Sequence, residues 1–389
     1  MSPLGVAIVG CGQIADAHLA QIARASRGRT VAVCDTEPEL AEQAADRFAV
    51  PRRTTDLDEL LSWGEVDVIH LCTPVRSHAP LTIRCLQAGK HVYTEKPFTV
   101  DATEARRVVE VAEATGQRLC LGHDQLFDPI WQRAAAQIDK GRIGTPVHIE
   151  SVLGYPIGGA FGREVAADAR HWVRSLPGGL FQNTLSHPLY RLTEYLPGEV
   201  HLDAHWHCRS DALDIPTELR IQLWDDQTTA AVTFLSRAKP PARATRFYGT
   251  AGSLEVDFDS QTIRFTPPSA LPGAFEKLQR PLGHLTEAIG NTARACWNFA
   301  RGDIHYFAGM RNLFEAFYEH IQTGGPPPID LAEMVRVTEI MDRVFASAAA
   351  KDERTQDRTS DQPAAIGAAQ SAPAPLPIAT GRRTAEVAR

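Results

Sequence analysis

Neither a Cys-x-x-Cys pair nor an even set of cysteines is present in this chain of 389 residues. The seven cysteines (Cys11, Cys34, Cys72, Cys85, Cys120, Cys208 and Cys296) are scattered, most of them within apolar runs. That pattern excludes a disulfide framework and suits small buried thiols in a reducing compartment. The histidines show no convincing ligand spacing, although His205 and His207 flank Trp206 in a strand-like stretch, so no metal is expected. No apolar run approaches the ~20 residues that span a bilayer, and no membrane partner is expected. Met1-Ser2-Pro3-Leu4-Gly5 lacks the basic region that opens a signal peptide, and the following apolar run breaks at Gly10 and Gly12; the expected location is the cytoplasm. Basic runs are also missing. With 40 Lys and Arg against 47 Asp and Glu, the net charge of −7 argues against nucleic acid or anionic membrane as the main partner.

What is present is globular in composition, with 43% hydrophobic and 22% charged residues. At roughly 150 residues per domain, the length allows two domains. In the first third, short apolar runs at Val6–Val9, Val31–Cys34, Val66–Leu71, His91–Thr94 and Leu119–Leu121 read as strands. Several are apolar throughout, as in a parallel sheet covered by helices on both faces. Between them, Ile14–Ala25, Pro38–Phe48, Leu57–Trp63, Pro80–Ala88 and Ala102–Thr115 read as helices. The alternation predicts a doubly wound α/β fold of the Rossmann type.

The pattern changes near Asp128-Pro129, where a helix over Pro129–Lys140 precedes longer alternating stretches. Val147–Leu153, Glu218–Trp224, Thr229–Leu235 and Phe247–Phe258, the last broken by Gly249-Thr250-Ala251-Gly252, predict a largely antiparallel sheet. Two helices close this part, over Arg311–Gln322 and from Asp330 onward, the second opening with Asp330 and Glu333 at capping-box spacing. Residues 267–302 begin proline-rich and become a helix that covers a cleft, contacts another subunit or packs on the sheet. From Ala350 the chain is rich in Ala, Pro, Ser, Thr and charge and reads as a disordered tail. The expected division is 1–125, a dinucleotide-binding domain; 126–348, a substrate-binding and oligomerisation domain; and 349–389, the tail.

Val6-Ala7-Ile8-Val9 runs directly into Gly10-Cys11-Gly12-Gln13-Ile14-Ala15, a G-x-G-x-x-A turn between strand and helix. Gly10 permits the tight turn, Gly12 lets backbone approach a pyrophosphate, and Ala15 lets the helix pack closely. The helix start at Gln13 and Ile14 offers free N–H groups to phosphates. The second strand ends at Asp35, where the acid that binds ribose belongs. Thr36 and Glu37 follow, so a 2′-phosphate finds no cation, and NAD is expected over NADP. The loop Cys72-Thr73-Pro74-Val75-Arg76-Ser77-His78 follows a strand and faces the ligand crevice of such a sheet. Gly89-Lys90-His91-Val92-Tyr93-Thr94-Glu95-Lys96-Pro97 delivers Glu95 and Lys96 to a strand end, with Pro97 favouring extended backbone at Lys96. A lysine fixed there is able to hydrogen-bond a substrate hydroxyl; by composition alone it reads as a solvated surface lysine.

Together these motifs resemble the Gfo/Idh/MocA family, the glucose–fructose oxidoreductase and inositol dehydrogenase group. The likeness runs over about Pro3 to Ala346 and includes the glycine turn, Thr73-Pro74 with His78, Glu95-Lys96-Pro97, Gly141-Arg142-Ile143-Gly144 and Gly249-Thr250-Ala251-Gly252. It implies a Rossmann domain followed by an α/β domain with a large open sheet that often forms subunit interfaces, hence a dimer or tetramer. It further implies a bound nicotinamide nucleotide, with Gly10, Gly12, Gln13, Ile14, Asp35, Thr73, Pro74, His78 and Glu95 at its site. The implied reaction is oxidation or reduction of a secondary alcohol on a sugar, cyclitol or similar molecule.

The family usually carries an Asp and, four residues later, a His on one helix face. Here His187 matches the histidine, while Asn183 stands at the place of the acid. His187 suits a general base by its unperturbed pKa near ~6.5; Asn183 is able to orient it but brings no charge. Lys96, His187 and Asn183 are therefore the expected catalytic set, with His187 as a core histidine the plainer alternative. Leu126 falls where the family often has Arg, and His123 and Asp124 are candidates to compensate. Tyr190 and Trp172 are site-wall or packing residues. Two other readings stand beside the dehydrogenase. One is a redox-neutral enzyme with permanently bound NAD; the other is a non-catalytic NAD-binding sensor or regulatory protein.

Overall fold

The computed structural model describes residues 2–156, 158–168, 170–209, 216–269, 273–300 and 307–360. In the first part β1 (Leu4–Val9), α1 (Gln13–Ile22), β2 (Gly28–Cys34), α2 (Pro38–Phe48), β3 (Arg52–Thr54), α3 (Leu57–Ser62), β4 (Val68–Leu71), α4 (His78–Gln87), β5 (His91–Thr94), α5 (Ala102–Thr115) and β6 (Leu119–Leu121) alternate strand with helix. The six strands lie in the order β3-β2-β1-β4-β5-β6, every pairing parallel. Val6, Ala7, Ile8, Val68 and Ile69 have no solvent-exposed surface, because helices cover both sheet faces. The strand order reverses between β1 and β4, which opens a crevice at their carboxyl ends.

Local chemistry fixes the helix ends. Asp101 accepts from the Glu104 N–H (2.9 Å), and Glu104 reaches back to the Val100 N–H (3.1 Å). Gly116 ends the same helix at φ +69°. The expected α2, β5, α5 and β6 match residue for residue. β3 has no counterpart in the sequence reading: it is three residues long, carries two exposed arginines and sits at a sheet edge.

The second part contains α6 (Pro129–Asp139), β7 (Pro146–Gly154), α7 (Ala160–Ala167), α8 (Gly179–Thr193), β8 (His201–Arg209), β9 (Pro216–Trp224), β10 (Thr229–Leu235), β11 (Arg243–Gly249), β12 (Gly252–Asp257), β13 (Thr262–Thr266), α9 (Ala274–Ala300), α10 (Ala308–Thr323) and α11 (Leu331–Ser360). Its seven strands run β13-β12-β11-β7-β10-β9-β8, antiparallel throughout except β7 with β10. The fold is thus a parallel Rossmann-type sheet joined to a mostly antiparallel mixed sheet with helices.

Two large cores accompany the two sheets, and they do not follow chain order. Met310, Leu313, Phe314, Phe317 and Tyr318 of α10 bury into the first core, whereas Val337, Met341, Val344 and Phe345 of α11 join the second. The chain returns to complete its N-terminal domain, a long-range contact that a division at residue 125 does not express. The C-terminal helix also runs past the expected start of the tail, to Ser360, with Lys351 paired to Asp203 of β8. Residues 361–389 lie outside the described residues. Among those described, no helix is long and apolar enough to cross a membrane.

Candidate active site

The crevice between β1 and β4 is built by glycine. Gly10 takes φ +91°, and a Cβ there would stand 2.8 Å from the Cys72 carbonyl and the Thr73 methyl. Only glycine permits both the turn and the close approach. A Cβ on Gly12 would meet nothing within 4 Å, so the face beside the start of α1 at Gln13 and Ile14 is open. These are the features a dinucleotide cradle needs: unencumbered backbone and free N–H groups at a helix start. Asp35 stands at the cradle's rim, its Oδ2 accepting from the Cys11 N–H (2.6 Å) and its Oδ1 from the Glu37 N–H (2.9 Å). Burial, then the Asp35 charge, pushes the Cys11 thiol up to about 12, and burial lifts Cys34 to about 11. Both remain thiols, in keeping with a packing role.

On the opposite side of the crevice, Thr73 and Pro74 lead into a short 3₁₀ turn. Its Ser77 hydroxyl contacts Thr73 Oγ1 (2.8 Å) and the Pro74 carbonyl (2.7 Å). His78 is buried behind this loop, with Nε2 against the Thr73 carbonyl (2.7 Å) and Nδ1 against the Pro97 carbonyl (2.9 Å). The ring sits between the two carbonyls and its N–H donates to one of them, so His78 packs the loop after β4 against the loop after β5. Burial holds its pKa below the ordinary value.

Glu95 and Lys96 diverge at the end of β5. Glu95 turns inward and is buried: Oε1 lies 2.9 Å from His18 Nε2, and Oε2 accepts from the Lys96 N–H (3.1 Å). Burial pushes its carboxyl up, but the His18 hydrogen bond and the charges of His18 and Lys96 outweigh it, leaving the pKa below the usual range. Lys96 turns outward instead. Its Nζ donates to the backbone carbonyl of Asn183 on α8 (3.1 Å). Gln182 Nε2 donates to the Val100 carbonyl (2.8 Å), and Arg76 donates to Ser175 (2.7 and 2.9 Å). These contacts fasten α8 and the turn before it to the mouth of the first sheet.

His187, one turn beyond Asn183, does not take its orientation from that residue. Its Nδ1 lies 2.8 Å from the Tyr190 hydroxyl, which also accepts from the Gln125 N–H (3.3 Å). Among the described residues, the Asn183 amide group makes no side-chain hydrogen bond. Burial, then the neighbouring charges of Lys96 and Arg191, holds the His187 pKa well below its ordinary value, which keeps the ring neutral. His123 stacks on Tyr190 with ring centroids 4.2 Å apart. Burial, followed by Glu95, raises the Asp124 carboxyl to about 7 against the pull of Lys96, and its Oδ1 is buried without a hydrogen bond. Arg191 is enclosed beneath the site, against Gln125 and Ser151 and over the Phe258 ring (4.4 Å).

The structure therefore gathers Gly10, Gly12, Asp35, Thr73 and Pro74 around one crevice and brings Lys96 to α8 beside Asn183 and His187. His78 and Glu95 stand behind those surfaces. Sequence reasoning named Tyr190 as a wall or packing residue; the signal for its contact is its spacing of three from His187, which puts both on one helical face. The buried His18–His70–Tyr318 cluster had no motif, though a histidine inside the apolar strand at His70 marks it. No group of three or more metal-ligating side chains converges among the described residues; the His207 side chain lies outside them.

A glycine-built Rossmann-type sheet and a second, mostly antiparallel sheet thus meet where Lys96 reaches the helix that carries Asn183 and His187. Residues 4–123 match the model of the oxidoreductase family with an NAD-binding Rossmann fold, the Gfo/Idh/MocA family. The chain is 30% identical over 192 residues to an inositol 2-dehydrogenase of Rhizobium meliloti, covering 49% of this chain and 54% of that protein. It spans about half the length of the curated relatives it matches. Solved structures extend the fold likeness over nearly the whole chain. The WlbA dehydrogenase of Bordetella pertussis, in complex with NADH and UDP-GlcNAcA, aligns with TM-score 0.72 at 21% identity over 90% of this chain and 96% of that one. A 3-ketoreductase from Actinomadura kijaniata, in complex with NADP, aligns with TM-score 0.70 at 20% identity over 89% and 98% of the two chains.

Proposed function

We propose that the protein is an NAD-dependent oxidoreductase acting on a secondary alcohol of a sugar, cyclitol or sugar derivative. The observation that carries this reading is the Lys96–Asn183 contact (3.1 Å), which sets a cationic donor beside the helix of a half-buried, neutral histidine at the mouth of the nucleotide crevice. Gly10, Gly12, Gln13 and Ile14 would hold the pyrophosphate, and Asp35 the ribose hydroxyls. With Asp35 and Glu37 and no cation between them, the rim opposes a 2′-phosphate, which supports NAD over NADP.

A nicotinamide bound in this crevice supplies the hydride acceptor. His187 takes the proton of the substrate hydroxyl, and Lys96 donates a hydrogen bond to the same oxygen and steadies the charge that develops there. Tyr190 holds the imidazole. His123, Asp124 and the end of α8 form the surrounding wall. The substrate classes of the inositol dehydrogenase and of the dehydrogenase crystallised with a nucleotide sugar support a hydroxyl-rich substrate.

Titration of the purified chain with NAD and NADP, followed by absorbance of the reduced nicotinamide on a panel of sugars, cyclitols and sugar acids, tests the proposal. Saturable NAD binding with NADH appearing supports it. Asn183 and its unengaged amide favour a second reading, in which nucleotide is retained for redox-neutral chemistry or sensing. Tight NAD binding without net reduction on any member of the panel would replace the first reading with the second.

A further inference from the structure

The long helix α9 faces the protein with its polar side. Glu287 accepts from the backbone N–H of Phe265 (2.9 and 3.1 Å), and Asn291 Nδ2 donates to the carbonyl of Ile263 (2.9 Å). His284 Nε2 lies 3.5 Å from Thr266 Oγ1. All three contacts fall on β13, the edge strand of the seven-stranded sheet, whose open backbone groups the helix thereby covers. An ordinary surface helix buries its apolar stripe and shows its polar one. Here the arrangement is reversed: Phe275 is 66% exposed, Leu282 54%, Leu285 56%, Ile289 62% and Phe299 77%.

These five residues fall on one regular spacing. Positions 275, 278, 282, 285, 289, 292, 296 and 299 advance by three and four in turn and carry Phe, Leu, Leu, Leu, Ile, Thr, Cys and Phe. That is the a/d seam of a paired helix, sustained along a helix of 27 residues, or about 40 Å. The flanking e and g positions are Gln279, Pro281, Thr286, Ala288, Ala293 and Ala295, all uncharged. Two identical helices brought together along this seam therefore set no like charges against each other.

We propose that the α9 stripe pairs with the same stripe of a second copy of this chain. Large apolar side chains carry roughly 150–250 Å² when aromatic and somewhat less when aliphatic. The exposed fractions thus leave on the order of 500 Å² per copy, which reaches the ~1,000 Å² total of a specific interface. A membrane surface fits less well, because such helices line their free polar face with Lys and Arg. In α9 the polar face is committed to β13, and Lys277, Arg280 and Arg294 are offset by Glu276 and Glu287. The chain's own residues 361–389 also fit less well, since Pro363, Pro373, Pro375 and Pro377 interrupt any matching helical stripe.

Sedimentation velocity on the full-length protein over a range of micromolar concentrations tests the pairing. The expected result is an even-numbered oligomer that falls to half its mass in the double variant Leu285→Glu/Ile289→Glu with unchanged far-UV circular dichroism. Leu285→Met, which keeps the seam apolar, should retain the wild-type mass and separates loss of pairing from loss of folding. A wild-type monomer at high micromolar concentration overturns the proposal, as does an oligomer whose mass the double variant leaves unchanged. Monomeric wild-type protein that floats with anionic phosphatidylserine vesicles would overturn it in favour of a membrane surface.

Discussion

His187 Nδ1 lies 2.8 Å from the hydroxyl of Tyr190, three residues further along the same helix. A tyrosine thus holds the ring from the C-terminal side, while Asn183, one turn before, leaves its amide unengaged among the described residues. In the proposed reaction Tyr190 is a positioning residue. Tyr190→Phe should lower kcat on the order of 10²-fold, part of what a well-placed base contributes, with little change in NAD affinity. Asn183→Asp should raise the His187 pKa, because a nearby carboxylate favours the charged ring. NMR titration of the imidazole checks this without any turnover. An unmoved titration midpoint would place residue 183 out of electrical contact with the ring.

Asp124 makes stability depend on pH in an unusual direction. Burial raises its carboxyl from 3.8 to about 7, so between those values the folded chain keeps a proton that the unfolded chain has lost. The unfolded state binds fewer protons there, and stability falls as pH rises through that window. The groups around it are Glu95 and Lys96 at the end of β5, Asp128 on its own loop and Tyr190 on α8. A shift of about three units corresponds to roughly 4 kcal/mol. Asp124→Asn should therefore gain stability relative to wild type as pH rises from 4 to 7, with the gap constant above it. Urea unfolding of both proteins at pH 4, 5.5, 7 and 8 measures this, and a gap independent of pH would refute the assignment.

Much of this site's scaffold was legible because it rests on local rules. The G-x-G-x-x-A turn, the apolar strands β1 and β4, and Pro38 and Gly116 at helix ends each carry their meaning within a few residues. Side-chain direction was not legible. Glu95 and Lys96 are adjacent, yet one is drawn inward by His18, 77 positions earlier, and the other crosses to Asn183, 87 positions later. The capture of α10 by the first core is likewise a tertiary event that no periodicity announces. Beyond Ala350 the shortage of apolar residues read as disorder. The helix nonetheless continues to Ser360, where Lys351, Glu353, Arg354, Gln356 and Arg358 are good helix formers and Lys351 pairs with Asp203.

Asp35 accepts from the Cys11 N–H, and in the proposed complex it would also meet the ribose hydroxyls. Asp35→Ala should weaken NAD binding about tenfold, the value of one charge-assisted hydrogen bond, and leave NADP affinity nearly unchanged. Adding Thr36→Arg should then favour NADP by supplying a partner for the 2′-phosphate. Calorimetric titration of both nucleotides against the three proteins reads the ratio directly. Equal losses for NAD and NADP in Asp35→Ala would mean that the residue only shapes the glycine turn.

The last expectation concerns the polar chain buried in the first core. Tyr318 Oη lies 3.0 Å from His70 Nε2, His70 Nδ1 lies 3.0 Å from His18 Nδ1, and His18 Nε2 lies 2.9 Å from Glu95 Oε1. Burial, then the charge of His18, holds the His70 pKa well below its ordinary value, so that ring carries one proton. With both rings neutral, one proton order satisfies every contact: Tyr318 O–H donates to His70, His70 Nδ1–H to His18, and His18 Nε2–H to the Glu95 carboxylate. The order is directional, because a carboxylate at one end only accepts and requires a donor at the other. Removing the terminal hydroxyl leaves His70 Nε2 without a donor where water does not reach. Tyr318→Phe should therefore cost about 1–3 kcal/mol, read as a lower urea midpoint with unchanged slope, although it adds no cavity and keeps the ring's packing on Phe314 and Phe317. Glu95→Gln offers the chain a donor as well as an acceptor at its far end and should cost less in combination with Tyr318→Phe than the two losses summed. Strict additivity of the two would show that the histidines do not transmit one proton order from α10 to the base of Lys96.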